Sequence, residues 1–468
     1  MNMPKKSIQT QTSETQSSSG RGELALTPIE NFLWSSDAPD NPMIMRVILR
    51  FHGRVNAELF IETFKMALDR QPLLSSIVDE RDGRPVWVPA SHTTEPIWED
   101  ALPPNEPETG EFIEHIDLRK ETGLRVRIIS VSDGVLVRMD FQHAMCDGQG
   151  ARQLIADWLH LYDRIFRGEE TSLTSLEPER LVSRGVIRPR PGIVPIGFRE
   201  GLRNFYVTVC GRTARLPKRL QEPDGAVPGG SRIFERPLTS EQTAILRHRL
   251  QECRVTLNDL GIAVCLGTFA RMFAVRSRHF ISIMNPVDLR MPSDRYLPAA
   301  NRLGFTYLRR RPKDCLSLPQ LLESIQEQPK YIKDRFVGAE FVCALTAVDK
   351  RPFVYSFLRR ISWFTPTLQF TCLGDTTRGR RYGFRNEGGV MTFGEMRLDR
   401  ISAIAPVAPG VPVSVAACET NARLTLTVRS SEEYLTREQG DAFATEIISG
   451  ILNWAGLPKC SKLPEHSE

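Results

Sequence analysis

Apolar and polar residues alternate from Val137 onward along VLVRMDFQH (residues 135–143). A strand there carries Val135, Val137, Met139, Phe141 and His143 on one face and Leu136, Arg138, Asp140 and Gln142 on the other. The preceding LRVRIIS (residues 124–130) reads as a second strand, joined to the first through Asp133-Gly134. Earlier, LALTPIENFLW (residues 24–34) has the signature of a helix start: Thr27 as N-cap, Pro28 in the first turn and Glu30 closing a capping box. VILRF (residues 47–51) reads as a strand. In residues 56–70 the spacing of Leu59, Phe60, Phe64 and Leu68 predicts a helix with one buried face. QPLLSSIVDERDGRPVWVP (residues 71–89) carries Asp82-Gly83 between two strand-like runs, a hairpin signal. After residue 148, Leu154, Ile155, Trp158, Leu159, Tyr162 and Ile165 recur at helical spacing.

The periodicity fades over residues 168–230, rich in Pro, Arg and Gly, and resumes near Arg232. Helices are expected at residues 239–253 and 256–276, the latter apolar nearly all round as a buried helix should be. HFISIMNP (residues 279–286) and residues 303–309 read as strands and residues 318–335 as a helix. Two more strands (residues 412–418 and 422–430) and a helix at residues 436–454 close the chain. Both halves mix strands and helices and finish alike, which suits two related α/β layers facing one another. The division expected is a tail at 1–22, a lobe at 23–180, a connector at 181–231, a second lobe at 232–458 and a tail at 459–468. Residues 7–22 are polar enough to predict disorder. In the connector a short helix is expected at residues 199–206, and GIVPIGF (residues 192–198) offers either a surface for peripheral membrane contact or a patch packed on its own protein.

Composition narrows this picture without redirecting it. Length and a 41% hydrophobic content allow two ordinary cores. The net charge of +5 comes from 61 basic and 56 acidic residues, too balanced to point to nucleic acid, and the clusters at 309–311 and 378–385 read as solvated surface. Nine scattered cysteines include no C-x-x-C pair, so zinc ribbons and thioredoxin-like chemistry find no support. With no signal peptide, a cytoplasmic location is expected. No run of about 18 apolar residues announces a spanning helix.

Chemistry concentrates in DFQHAMCDGQG (residues 140–150). His143 shares the direction of an apolar row at the end of a strand, where desolvation favours the neutral imidazole a general base needs. Asp147 either caps the helix that follows or pairs with a cation from elsewhere. Gly148 removes a side chain where a substrate or a neighbouring strand comes close. Histidines near turns are common in purely structural roles, and it is the spacing H-x-x-x-D-G at a strand-to-helix junction that gives each residue a separate task.

HAMCDG resembles the H-x-x-x-D-G signature of the CoA-dependent acyltransferase superfamily. That group includes chloramphenicol acetyltransferase, condensation domains of nonribosomal peptide synthetases, plant acyltransferases, polyketide-associated acyltransferases and wax ester synthases. Other segments follow in the expected order. LTPIENFLW is similar to the opening motif of condensation-type domains and QPLLSSIV to their early helix-to-strand passage. TLNDLGIAVCLGTFAR with MNPVDLR is similar to the N-D helix and P-V-x-x-R strand of the wax ester synthase and condensation branches, and ANRLGFTYL to the G-N segment. The resemblance spans about residues 23–457. In place of the two adjacent histidines of many relatives stands Gln142-His143. MTFGEMR (residues 391–397) departs from the D-F-G-W-G of the plant branch, and FTCLGD (residues 370–375) is nearer the condensation style.

The resemblance implies an α/β (α+β two-layer) fold of two chloramphenicol-acetyltransferase-like lobes forming a V around a channel. It implies a stand-alone acyltransferase moving an acyl group from acyl-CoA or an acyl-carrier protein to an alcohol or amine acceptor. No tightly bound cofactor and no metal is expected. His143 would be the general base. Asp147, held by Arg290 rather than touching substrate, and Gly148 would shape the site, and Gln142, Asn258, Asn301 and Thr371 would lie along the substrate channel. The alternative is a non-catalytic relative that uses the same groove to hold an acyl chain or a carrier protein.

Overall fold

The computed structural model describes residues 22–110, 112–187, 212–219, 230–335, 337–349, 365–376 and 382–458. The tail at residues 1–21, the tail at 459–468, the GIVPIGF patch, the short helix expected at 199–206 and most of the basic cluster at 378–385 lie outside the described residues.

The first half runs β1 (Leu24–Ala25), α1 (Pro28–Ser35), β2 (Ile44–Gly53), α2 (Ala57–Leu68), β3 (Ser76–Arg81), β4 (Arg84–Pro89), β5 (Ile97–Glu99), β6 (Leu124–Val131), β7 (Gly134–Gln142) and α3 (Gly148–Phe166). The second runs β8 (Ser231–Pro237), α4 (Ser240–Glu252), α5 (Leu257–Met272), β9 (Ile281–Asp288), β10 (Leu303–Arg310), α6 (Leu318–Arg335) and α7 (Val337–Asp349). It continues through β11 (Leu368–Asp375), β12 (Arg385–Glu387), β13 (Val390–Phe393), β14 (Met396–Ile404), β15 (Val413–Thr420), β16 (Arg423–Ser431) and α8 (Arg437–Trp454).

Local chemistry accounts for many boundaries. Thr27 and Glu30 close the capping box of α1, with Pro28 in its first turn. Asp82 (φ 50°) and Gly83 (φ 70°) both take the positive φ that a tight two-residue hairpin demands between β3 and β4. The β6–β7 turn is Ser132-Asp133, one residue earlier than the sequence suggests. Gly134 is already paired with Val131, and a Cβ there would meet the Phe51 carbonyl oxygen at 2.0 Å, so close backbone approach rather than turn geometry requires the glycine.

Strands assemble as a seven-stranded sheet (β12-β13-β14-β2-β7-β6-β5), a six-stranded sheet (β10-β9-β11-β15-β16-β8) and a small three-stranded one (β1-β4-β3). In the large sheet Met45, Val47, Leu49, Phe51, Val137, Met139 and Phe141 face α2 and α3 and form one core. The opposite face of the same strands carries Arg46 and Arg138. The Arg46 guanidinium donates twice to Asp140, at 2.6 and 2.7 Å, and Arg138 pairs with Glu106, so these charges are buried but matched. A second core joins the six-stranded sheet to α4, α5 and α8. In α5 every residue from Asp259 to Phe269 is buried, as its all-round apolar pattern requires. Among the described residues no single helix is long and apolar enough to cross a membrane.

One expectation needs correction. A division into lobes at 23–180 and 232–458 assigns β12, β13 and β14 to the second lobe, yet β14 pairs antiparallel with β2, from Met396 opposite Gly53 to Ile404 opposite Arg46. The second half thus completes the sheet of the first. Alternating apolar residues predict a strand but not its partner, and this partner lies some 350 residues away.

Candidate active site

His143 follows the last paired residue of β7, and its backbone N–H still donates to the Met43 carbonyl (2.8 Å) at the start of β2. The turn from 143 to 146 is braced from two sides. The Gln142 Oε1 accepts from the Ala144 N–H (2.7 Å), and the Asn301 Nδ2 donates to the carbonyls of His143 (2.9 Å) and Ala144 (2.7 Å). The imidazole Nδ1 lies 3.1 Å from the Cys146 carbonyl oxygen. A carbonyl only accepts, so Nδ1 carries the proton and Nε2 keeps its lone pair. Burial pushes the imidazole pKa below its ordinary 6.5, against the opposing pull of the Asp147 charge and the Cys146 carbonyl. The ring is neutral, oriented and set on a cavity wall.

Asp147 both caps α3 and pairs with a cation, the two options left open by the sequence. Its Oδ1 accepts from the N–H groups of Gln149 (3.1 Å) and Gly150 (3.0 Å), and its Oδ2 from the Arg302 N–H (2.9 Å). The Arg290 guanidinium closes on both oxygens at 2.8 Å and donates onward to the Ala300 carbonyl. Burial alone would raise this carboxyl's pKa, but the Arg290 charge and the convergent donors outweigh it and hold the pKa below the usual carboxylate value. Five donors occupy the carboxylate, which leaves it no capacity to act as a base. Its effect is to fix the loop that aims His143.

The cavity at this point has a volume of about 510 Å³ and draws walls from both halves of the chain: β2 and α3, β9, β11, β13, β14 and β15. His143, Asp147, Gly148, Arg290 and Thr371 all line it. A Cβ added at Gly148 would stand 3.7 Å from Leu373 and 3.9 Å from Met45, so the glycine widens the passage rather than avoiding a clash.

Three expected channel residues stand behind the wall instead. Gln142 is fully buried on the far face of β7, where strand alternation puts it, and braces the turn. Asn301, 2% exposed, clamps the same turn from the second half. Asn258 exchanges hydrogen bonds with Asn285 (3.0 and 3.4 Å), tying α5 to β9. Asn301→Ala is therefore expected to lower kcat about tenfold with little change in KM, since it loosens the aim of His143 without touching the cavity. Steady-state kinetics separate the two effects. Sequence reasoning missed Arg302 altogether. Its backbone N–H holds Asp147 while its guanidinium binds the Arg184 and Val186 carbonyls and Asp294, and a backbone donor leaves no residue-type signal to read.

No family model and no curated protein matches this chain. Solved structures do. The epimerization domain from the third module of tyrocidine synthetase B is 16% identical, with a TM-score of 0.63 over 93% of this chain and 97% of that one. Trichothecene 15-O-acetyltransferase from Fusarium sporotrichioides is 12% identical, with a TM-score of 0.65 over 92% and 94%. The starter condensation domain of rhizomide synthetase in complex with C8-CoA and Leu-SNAC is 12% identical, with a TM-score of 0.63 over 94% and 95%. These likenesses show the fold. Since that fold hosts epimerization, acetyl transfer and condensation alike, the reaction has to be argued from the site.

Proposed function

We propose that this chain, built on the two-lobed fold of CoA-dependent acyltransferases and condensation domains, is an acyltransferase. It moves an acyl group from a thioester, on CoA or a carrier protein, to a hydroxyl or amine, with His143 as general base. One observation carries the reading: a neutral imidazole, fixed through Nδ1 to the Cys146 carbonyl, lining a cavity shared by both halves of the chain. Residues outside substrate contact hold it there.

The acceptor O–H or N–H donates to Nε2 and loses its proton to it as the acceptor's lone pair attacks the thioester carbonyl carbon. The carbonyl π pair moves onto oxygen, then returns as the C–S bond breaks. The departing thiolate takes the proton back from Nε2, so the enzyme ends in its starting state with an ester or amide and a free thiol as products. Neither a covalent enzyme intermediate nor a second base is needed. Asp147, saturated by Arg290 and three backbone donors, keeps the loop still throughout.

The pH dependence follows from the direction of the His143 shift. Protonation removes the base, and burial moves that protonation below pH 6.5, so the acid limb of kcat/KM is expected to have its midpoint below 6.5 and a slope of one proton. A pH–rate profile with a thioester donor and a thiol-trapping reagent measures it. A midpoint well above 6.5, or a flat profile, contradicts the assignment.

A further inference from the structure

The cavity is unevenly furnished. Charged side chains gather where β9 runs into the following segment, at Asp288, Arg290, Asp294 and the exposed Arg295, with Arg152 of α3 a further charge on the lining. The opposite wall is apolar: Met45 and Val47 from β2, Phe393 from β13, Ile401 and Ala403 from β14, and Leu159 from α3. None of these side chains offers a hydrogen bond. A polar occupant there would lose its water without replacement, whereas a hydrocarbon chain loses nothing.

This apolar arm starts beside the reacting centre. Gly148, the first residue of α3, lines the cavity five residues after His143, and Met45 stands 3.9 Å from where its Cβ would be. From there α3 forms one wall, contributing Gln149, Arg152 and Gln153 in its first turns and Ile155, Ala156 and Leu159 beyond them. At about 1.5 Å per residue, Ala156 lies about 12 Å and Leu159 about 16 Å along the helix from Gly148. With bonds of about 1.5 Å, an extended alkyl chain advances about 1.3 Å per carbon, so this reach holds roughly nine to twelve carbons. Volume agrees. At roughly 30 Å³ per methylene-sized group, 510 Å³ accommodates such a chain together with the thioester and the acceptor's reacting end. Ala156 keeps part of its surface open although Ile155 and Asp157 beside it are buried, so a larger side chain at this position would project into free space.

We infer that the donor carries an unbranched aliphatic acyl chain of about nine to twelve carbons laid along α3, and that Ala156 sets the length accepted. This rests on the thioester-donor reading above and adds the class of acyl group and the residue that selects it. Each methylene buried contributes up to about 0.8 kcal/mol, or about fourfold in affinity.

S-alkyl-pantetheine thioethers of two, six, eight and twelve carbons, which share the arm of CoA and carrier-protein donors and cannot react, test it by calorimetric titration. Wild-type affinity should rise at least 100-fold from two to twelve carbons. In Ala156→Phe the two- and six-carbon probes should bind as in wild type while the gain beyond about eight carbons disappears. Ala156→Leu should give the intermediate result and serves if the phenylalanine variant melts early. A flat series in the wild type, or an unchanged series in both variants, overturns the inference while leaving a thioester donor in place. Binding of no probe of any length overturns the donor reading itself. A length preference confined to aliphatic alcohols would instead put the acceptor in the arm, and the inference would be wrong.

Discussion

On the proposed reading, His143→Ala is expected to lower the rate of acyl transfer by about 10²–10⁴-fold and to leave the melting temperature close to that of the parent protein. The asymmetry follows from what the ring touches. Among the described residues its one hydrogen bond runs from Nδ1 to the Cys146 carbonyl, at a half-buried position, so its loss costs about 1 kcal/mol of stability. The turn around it keeps the clamps from Asn301 and Gln142, whose partners are backbone groups and survive the substitution. The rate remaining measures the alignment of two substrates in one cavity. His143→Gln sharpens the test, because it keeps a polar side chain of similar reach but has no basic nitrogen. Transfer assays with thermal melts on both variants decide the matter. A glutamine variant at wild-type rate would falsify the general-base role.

Arg290→Ala acts on stability first and on rate second. Removing one partner of a buried ion pair costs about 3–5 kcal/mol because the other charge stays buried. Here the lower end is expected, since Asp147 retains three backbone donors from Gln149, Gly150 and Arg302. The pH dependence has a definite sign. In the parent protein the Asp147 pKa is held below its unfolded value, so its contribution is present above that value and lost as pH falls through the folded one. Without Arg290 burial dominates, the folded pKa rises above the unfolded one, and protonation favours the folded state. The stability gap between variant and parent should therefore narrow on acidification from pH 7 towards pH 5. Urea unfolding at several pH values measures it, and Asp147→Asn combined with Arg290→Ala should recover part of the loss. A gap independent of pH would mean that the carboxylate does not depend on the guanidinium.

Elements whose causes are local were legible in the sequence. The Thr27–Glu30 capping box, the Asp82-Gly83 hairpin and the alternation that turns His143 towards the core each involve residues within a few positions of one another. The Asp147–Arg290 pair spans 143 positions, and it was named because the resemblance supplied the match, not because spacing did. Where neither kind of signal exists the reading stops. The resemblance puts Asn301 and Gln142 on the channel, but their partners are backbone atoms of the His143 turn, which a residue list does not display. α7 went unseen because VGAEFVCALTAVD carries no clear period. It is held by tertiary contact instead, with Phe341 meeting the edge of Phe32 on α1 at 5.5 Å between ring centroids.

The pairing of β14 with β2 also bears on how the chain is born. Domains commonly mature one after another as they leave the ribosome. Here the central sheet of the amino-terminal lobe lacks three strands until residues 385–404 have been synthesised, and until then the backbone edge of Ile44–Gly53 stands open to any stray strand. A cut at the connector therefore separates strands that belong to one sheet.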